Sequence, residues 1–354
     1  MAINTKEIRI GKTLVGTGHP TFIIAEMSAN HAGSLDRALD IVHAAKRAGA
    51  DAIKLQTYTA ESITLKSSRE DFRIPGESPW DNFSTLWDLY SEAFTPWEWH
   101  KEIFQEARKI GIEVFSSPFD ELAVDLLENL NAPVYKIASP EITHIPLLER
   151  VGKTGKPVII STGIAELQDI ELALKTLRTS GTSEIVILKC TTAYPTPPEE
   201  ANLRTIADIV NRFNVLSGLS DHTMGTIASI ASVALGASVI EKHFKLDDGK
   251  ETVDSFFSLN EKEFSDLVRD VRWTEKALGV VNYNITESAK ENLLGRRSIY
   301  VSDTINNGEK ISTSNIKVVR PAFGLHPVHY KNIIGRKVNK ELKLGDRISW
   351  DVLE

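Results

Sequence analysis

Eight short runs rich in β-branched and aliphatic residues recur along roughly the first 280 positions, each followed by a stretch of helical character, and this repetition constrains the fold most. The runs are 22–27, 52–57, 113–118, 134–139, 157–162, 184–190, 215–221 and 238–244. Strands that alternate with helices must lie parallel, because each crossover carries the chain back to the starting edge. Eight such units in series fit a closed (β/α)8 TIM barrel better than an open doubly wound sheet. No GxGxxG follows the first run, which also argues against a dinucleotide fold. Helix ends are marked as well. Ser34 precedes a helix over 34–48 that Gly49 ends, Pro96 opens one over 96–110 that Gly111 closes, and a further helix spans about 260–278.

The repeat stops after Gly279. A segment rich in Glu, Lys and Asn reads as a linker, and beyond it 297–301 and 316–320 look like short strands. The turn signals Asn307-Gly308 and Gly345-Asp346 punctuate them. The expectation is an α/β chain with a barrel domain over 1–280, a linker over 281–292 and a small, mostly β domain over 293–354. One long insertion, 58–95, separates the second strand from its helix, and a loop of that length on a barrel is usually functional. It contains Trp80, Trp87 and Tyr90, of which Trp87 and Tyr90 either face a ligand or pack the loop down.

Composition removes several function classes. With 41 Lys+Arg against 48 Asp+Glu the net charge is −7, the wrong sign for a protein held by nucleic-acid phosphates. No apolar run reaches the roughly 18–20 residues of a membrane span, and the first residues lack the apolar stretch of a secretory signal, so a cytoplasmic location is expected. A single cysteine, Cys190, excludes an intrachain disulfide framework and a CxxC zinc site. Any metal must use His, Asp or Glu.

Barrel enzymes carry their chemistry at the C-terminal ends of the strands. Here nearly every strand ends in residues a core would not choose: Glu26; Lys54 and Gln56; Ser116 and Ser117; Lys136 and Ser139; Lys189, Thr191 and Thr192; Ser220-Asp221-His222; Glu241 and His243. One such residue is readily a satisfied ion pair, whereas a ring of them is a site. Period-two alternation sets Lys54 with Gln56, Ser220 with His222 and Glu241 with His243. His222 and His243, on neighbouring strands, could share a divalent ion with open positions for oxygen ligands. Mn2+ suits that donor set best, with Mg2+ or Co2+ next, and two hydrogen-bonded core histidines are the plainer alternative. Lys54 and Lys136 with Ser117, Ser139, Thr192 and Ser220 form a cradle for a phosphate and a carboxylate. A barrel lysine can also be a Schiff-base nucleophile, and spacing alone does not separate the two roles. Cys190, ending a buried strand, reads as a small core residue.

The ordered series Ala25-Glu26, Lys54-Leu55-Gln56, Ser116-Ser117-Pro118-Phe119, Tyr135-Lys136-Ile137-Ala138-Ser139, Cys190-Thr191, Tyr194-Pro195, Gly218-Leu219-Ser220-Asp221-His222-Thr223 and Glu241-Lys242-His243-Phe244 strongly resembles the sialic acid synthase family. The tail, with Gly295-Arg296-Arg297-Ser298 and Val319-Arg320-Pro321, is similar to that family's antifreeze-like (SAF) domain. Leu86-Trp87-Asp88-Leu89-Tyr90, Thr95-Pro96-Trp97-Glu98-Trp99-His100 and Phe323-Gly324-Leu325-His326-Pro327 are most like the family's pseudaminic branch.

The resemblance implies condensation of phosphoenolpyruvate with an acetamido-sugar aldehyde, which in that branch is 2,4-diacetamido-2,4,6-trideoxy-L-altrose. By the same resemblance His222 and His243 hold the metal, and Lys54, Ser117, Lys136, Ser139, Thr192 and Ser220 bind phosphoenolpyruvate. Glu26, Gln56, Glu141 and Asp254 act near the acceptor or the metal water, and Tyr194 and Arg320 bind the acceptor. Thr192 stands where the family often has asparagine, and Glu251-Thr252-Val253-Asp254 lacks the usual glycine pair. The resemblance further implies a domain-swapped homodimer in which Arg320 serves the partner's barrel. The rivals are the same chemistry on N-acetylmannosamine or the legionaminic precursor, a Schiff-base aldolase, and a non-catalytic carbohydrate- or ice-binding protein. Arg296, Arg297, Lys317, Arg320, Lys331, Arg336 and Lys337 oppose the last, since ice-binding faces are poor in charge.

Overall fold

Alternation along a strand sends successive side chains to opposite faces, and in this chain that rule separates a hydrophobic shell from a polar throat. A computed structural model of the protein describes residues 7–76 and 78–354. The chain divides into two compact units, Met1–Gly279 and Val280–Glu354.

In the first unit β1 (Glu7–Ile10) and β2 (Thr13–Gly16) form an antiparallel hairpin. The eight expected runs all become strands: β3 (Phe22–Glu26), β4 (Ala52–Thr57), β5 (Glu113–Pro118), β6 (Tyr135–Ile137), β7 (Val158–Ser161), β8 (Ile185–Cys190), β9 (Leu216–Asp221) and β10 (Val239–His243). They are parallel and close into a barrel in chain order, with β10 pairing both β9 and β3. The expected fold class, a TIM barrel, is therefore borne out. One boundary differs: β6 stops at Ile137, because Ser139 already opens a 3-10 turn over Ser139–Thr143.

Outward residues such as Ile23, Ile53, Val114, Ile137, Ile160, Ile187 and Ile240 pack against Ile41, Phe104, Leu127, Leu148, Leu177 and Phe264 of the surrounding helices. Inward residues at the base, including Phe22, Ile24, Phe115, Ile159, Val186 and Val239, form a separate apolar plug. Ile8, Ile10 and Val15 of the hairpin join it from below. Burial of each such side chain contributes roughly 1.5–3 kcal/mol, enough to seat a short hairpin across the barrel floor. Sequence reading did not find this hairpin, since two four-residue strands are too short for a periodic signal.

The helix caps follow the expected chemistry. Ser34 Oγ accepts from the Arg37 amide, Gly49 takes φ 88° at the far end, and Asn260 and Glu263 form a reciprocal capping box. Pro96 occupies the cap position before helix Trp97–Ile110 rather than its first turn. The insertion is tied down at its roots. The Trp97 indole donates to Tyr58 O at 3.2 Å, Thr57 Oγ1 meets His100 Nε2 at 2.8 Å, and Thr95 Oγ1 meets His31 Nε2 at 3.2 Å.

The second unit has its own core of Ile299, Val301, Ile305, Ile311, Ile316, Val338 and Ile348. Its β11 (Ser298–Val301) and β12 (Ile316–Val319) pair antiparallel, and a 3-10 turn spans Glu287–Gly295. Among the described residues no helix is long and apolar enough to cross a membrane.

Candidate active site

Above the apolar plug the next inward layer is charged. Lys54 Nζ lies 2.5 Å from Glu26 Oε2, 3.3 Å from Ser117 Oγ and 3.8 Å from Glu241 Oε2. Lys136 Nζ donates to Ser161 Oγ at 2.8 Å and to Ile137 O at 3.2 Å, and sits 3.6 Å from Glu241 Oε1. Ser220 Oγ donates to Glu241 Oε1 at 3.0 Å. Two lysines and two carboxylates thus share a site from which water is almost excluded, a costly arrangement unless each charge is paired. Burial would raise Glu241, but Lys136 and Lys54 hold its carboxyl below the usual range. Burial opposes the charge on Lys54, but Glu241 and Glu26 outweigh it and hold the ammonium above its usual range. At Lys136 burial prevails over Glu241, and the ammonium is pulled down.

Beside the lysines three elements make a polar pocket. Ser139 Oγ accepts from the Ile164 amide at 2.9 Å, and Thr192 Oγ1 is buried with no hydrogen-bond partner. Gly163 lies between them: a Cβ there would come 2.0 Å from Thr192 Oγ1 and 2.9 Å from Ser139 Oγ. Only glycine leaves this space open. An unpartnered buried hydroxyl costs about 1–3 kcal/mol, which an anion accepting from it would recover.

The two histidines stand at the ends of β9 and β10 with ring centroids 5.4 Å apart. His222 Nδ1 contacts Thr191 O at 3.0 Å, and since a carbonyl only accepts, Nδ1 carries a proton; burial opposes charge on the ring, but the Cys190 and Thr191 contacts hold it above its usual range. His243 is held well below its usual range, first by burial and then by His222 and the lysines, so its imidazole is neutral at neutral pH. Its Nδ1 is buried without a partner. Among the described residues no third His, Cys, Asp or Glu completes a cluster able to hold a metal with protein ligands alone. Two imidazoles with the remaining positions open fit a divalent ion that also takes water and substrate oxygen. Cys190 Sγ lies 3.9 Å from His222 Nδ1, buried at the end of β8.

Nearer the mouth, Tyr194 packs on His222 with centroids 4.5 Å apart and on Phe257 at 5.1 Å. Trp80 of the insertion stacks on Tyr194 at 5.5 Å and donates from its indole to Val253 O at 3.0 Å. Gln56 Nε2 donates to Glu26 Oε1 and to Ser28 Oγ, each at 3.0 Å, and Ser28 Oγ donates in turn to Asp254 Oδ2. Glu141, in the turn after β6, has an unpartnered buried Oε2, and burial pushes its carboxyl up to about 7.

The barrel therefore brings together Glu26, Lys54, Gln56, Ser117, Lys136, Ser139, Glu141, Thr192, Tyr194, Ser220, His222, His243 and Asp254. Arg320 belongs to the second unit, where it follows β12 and is exposed. In the insertion, Tyr90 packs edge-on against Tyr58 at 5.8 Å, whereas Trp87 stacks with Lys66. Sequence reading noted Glu241 but gave it no role, and it missed Ser28, Ser161 and Gly163. Glu241 was findable, because it shares the inner face with His243. Asp221 and Lys242 point the other way: they pair at 3.0 Å behind the barrel wall, where Asp221 also accepts from Thr223 and Ser229.

The sequence profile described as NeuB family matches residues 41–283, and that of the SAF domain matches 296–354. The chain belongs to the NeuB family. The resemblance to sialic acid synthases drawn from the motifs is thereby borne out, as is the SAF character of the tail. This NeuB family chain is 46% identical to a pseudaminic acid synthase of Campylobacter jejuni, over 94% of this chain and 96% of that one. It is 43% identical to a pseudaminic acid synthase of Helicobacter pylori, over 95% and 98% respectively. Among solved structures it is similar to the spore coat polysaccharide biosynthesis protein SpsE of Bacillus subtilis, with TM-score 0.67, 33% identity and 99% of both chains covered.

Proposed function

We propose that this chain condenses phosphoenolpyruvate with 2,4-diacetamido-2,4,6-trideoxy-L-altrose and water, giving pseudaminic acid and phosphate by C–O cleavage. The observation that carries this reading is the nearly full-length similarity to relatives named pseudaminic acid synthase. The site supports it chemically. Lys54 and Lys136 bind the phosphate and carboxylate of phosphoenolpyruvate, with hydroxyls from Ser117, Ser139, Thr192 and Ser220 replacing the water that a multivalent anion loses. Glu26, Gln56, Asp254 and Tyr194 orient the open-chain sugar above it.

In the reaction C3 of phosphoenolpyruvate attacks the aldehyde carbon, and the aldehyde oxygen takes up a proton. Water adds to the cationic C2 and loses a proton, and the tetrahedral centre collapses to the keto acid as its C2–O bond to phosphate breaks. Glu141, with its carboxyl near neutrality, holds a proton where one must move. Lys54 and Lys136 are fixed before reaction, so the charge on the departing phosphate meets donors that need not reorganise. His222 and His243 would hold a divalent ion, Mn2+ best and Mg2+ or Co2+ next, whose chemistry when bound is polarisation of the aldehyde. The protein acts as a cytoplasmic homodimer in this reading, with Arg320 as a further acceptor contact.

Phosphate release from phosphoenolpyruvate, measured in parallel with each candidate sugar, tests the assignment. Turnover highest with the altrose derivative is expected. Preference for N-acetylmannosamine or the legionaminic precursor would move the chain to another branch of the same chemistry.

A further inference from the structure

Ser28 has φ 47°, in the left-handed region that glycine enters freely and that strains other residues by about 1–3 kcal/mol. The strain is held in a buried place, because Ser28 is 4% exposed and its neighbours Ala29, Asn30 and His31 are buried too. What this conformation achieves is a bridge. The Ser28 hydroxyl donates to Asp254 Oδ2 and accepts from Gln56 Nε2, whose second hydrogen goes to Glu26 Oε1. One oxygen joins the end of β3, the end of β4 and the loop after β10.

That loop does not need Ser28 to keep its course. Asn30 in the same turn donates to Phe244 O at 2.9 Å and to Ser258 Oγ at 3.0 Å, and accepts from Thr252 Oγ1. Asn30 O in turn accepts from Arg37 Nε at 2.8 Å. Asn30 thus fastens backbone and hydroxyl groups of the loop, whereas both partners of the Ser28 hydroxyl, Asp254 and Gln56, are groups assigned to the acceptor in the reading above. Asp254 is buried, which raises its carboxyl, while the Ser28 hydrogen bond and then the Ala29 amide lower it.

We propose that Ser28 is a positioning residue for the acceptor: its hydroxyl fixes the Asp254 carboxylate and the Gln56 amide at one spacing, and so selects which sugar hydroxyl or acetamido group the pair can take. This rests on the synthase reading above and deepens it.

Two variants separate this role from a structural one. Ser28→Gly relieves the backbone strain and removes the bridge, whereas Ser28→Ala keeps the strain and removes the bridge. Both are expected to raise the acceptor KM or lower kcat by about tenfold, the loss of a hydrogen bond to a charged group. The KM for phosphoenolpyruvate should stay within about twofold, since the lysine cradle is untouched and a lost hydrogen bond acts locally. Ser28→Gly should melt no lower than the parent. Unchanged acceptor kinetics in both variants would overturn the proposal. So would a fall in melting temperature in both with acceptor KM and kcat unchanged, which is what a structural role predicts. The parent protein, assayed in the same series, tells the two readings apart. If it releases no phosphate with any acceptor, the synthase reading fails and this role with it; if it turns over and the variants match it, only the role of Ser28 fails.

Discussion

Replacing Lys136 by methionine keeps the length of the side chain and removes its charge from the centre of the proposed cradle. In the parent, two lysines face two carboxylates; in the variant, Glu26 and Glu241 face Lys54 alone. A unit charge 3.6 Å away, the Lys136 to Glu241 distance, is worth about 5 kcal/mol at an effective dielectric of ~20, and an anion oxygen at that range gains the same. Part of that gain is offset by the desolvation of both groups. Truncations of charged hydrogen bonds cost about 1.5–3 kcal/mol, which converts to a rise of roughly 10- to 150-fold in the KM for phosphoenolpyruvate. The acceptor KM should move by less, since Lys136 bonds to Ser161 and Ile137 O and pairs with Glu241 rather than with the groups assigned to the sugar. Initial rates of phosphate release with each substrate varied in turn read both constants, and circular dichroism checks that the variant is folded. An unchanged KM for phosphoenolpyruvate would refute the cradle. Lys136 is also the lysine whose ammonium burial weakens, so it is the one to watch for Schiff-base chemistry. A borohydride-trapped adduct on Lys136 would make the protein an aldolase instead.

Three further outcomes are expected. His222→Ala or His243→Ala should abolish turnover while leaving the protein folded, because neither ring belongs to the apolar clusters of the barrel; appreciable turnover in either folded variant, or after exhaustive chelation, would reject the metal pair. Glu141 has its carboxyl raised by burial from the ordinary 4.5 to about 7, so its stabilising contribution is full below about 4.5 and is lost as pH rises through about 7. Relative to Glu141→Gln, the parent should therefore lose up to about 3 kcal/mol between those limits, read by denaturant titration, and its pH-rate profile should carry a limb near 7 that the variant lacks. Lys242→Met leaves Asp221 buried and uncompensated behind the barrel wall, and should destabilise the fold by about 3–5 kcal/mol; a melting temperature equal to the parent's would show that the pair carries no stability.

Much of this was legible in the sequence because two periods do different jobs. The alternation of runs with helical stretches declares the barrel, and the period of two within each run declares which side chains enter it. Lys54 with Gln56, Ser220 with His222 and Glu241 with His243 follow from spacing alone. What spacing could not give is distance between strands. That Glu241 stands between Lys54 and Lys136 depends on barrel closure, which sets β10 against β9 and β3. Gly163 looks like any turn glycine until Thr192, from another strand end, is seen to occupy the space beside it. The left-handed backbone of Ser28 is imposed by partners 28 and 226 positions away, so no local propensity announces it.

The hairpin across the barrel floor turns the throat into a vessel with a single opening. Both substrates and both products must pass the same rim, beside Trp80 and Tyr194. The lysines assigned to the phosphate lie just above the floor, below the groups assigned to the sugar. In the proposed reaction traffic is therefore a queue: the smaller molecule would load first, the sugar close over it, and the nine-carbon product clear before phosphate can leave. Inorganic phosphate should accordingly compete with phosphoenolpyruvate and not with the sugar.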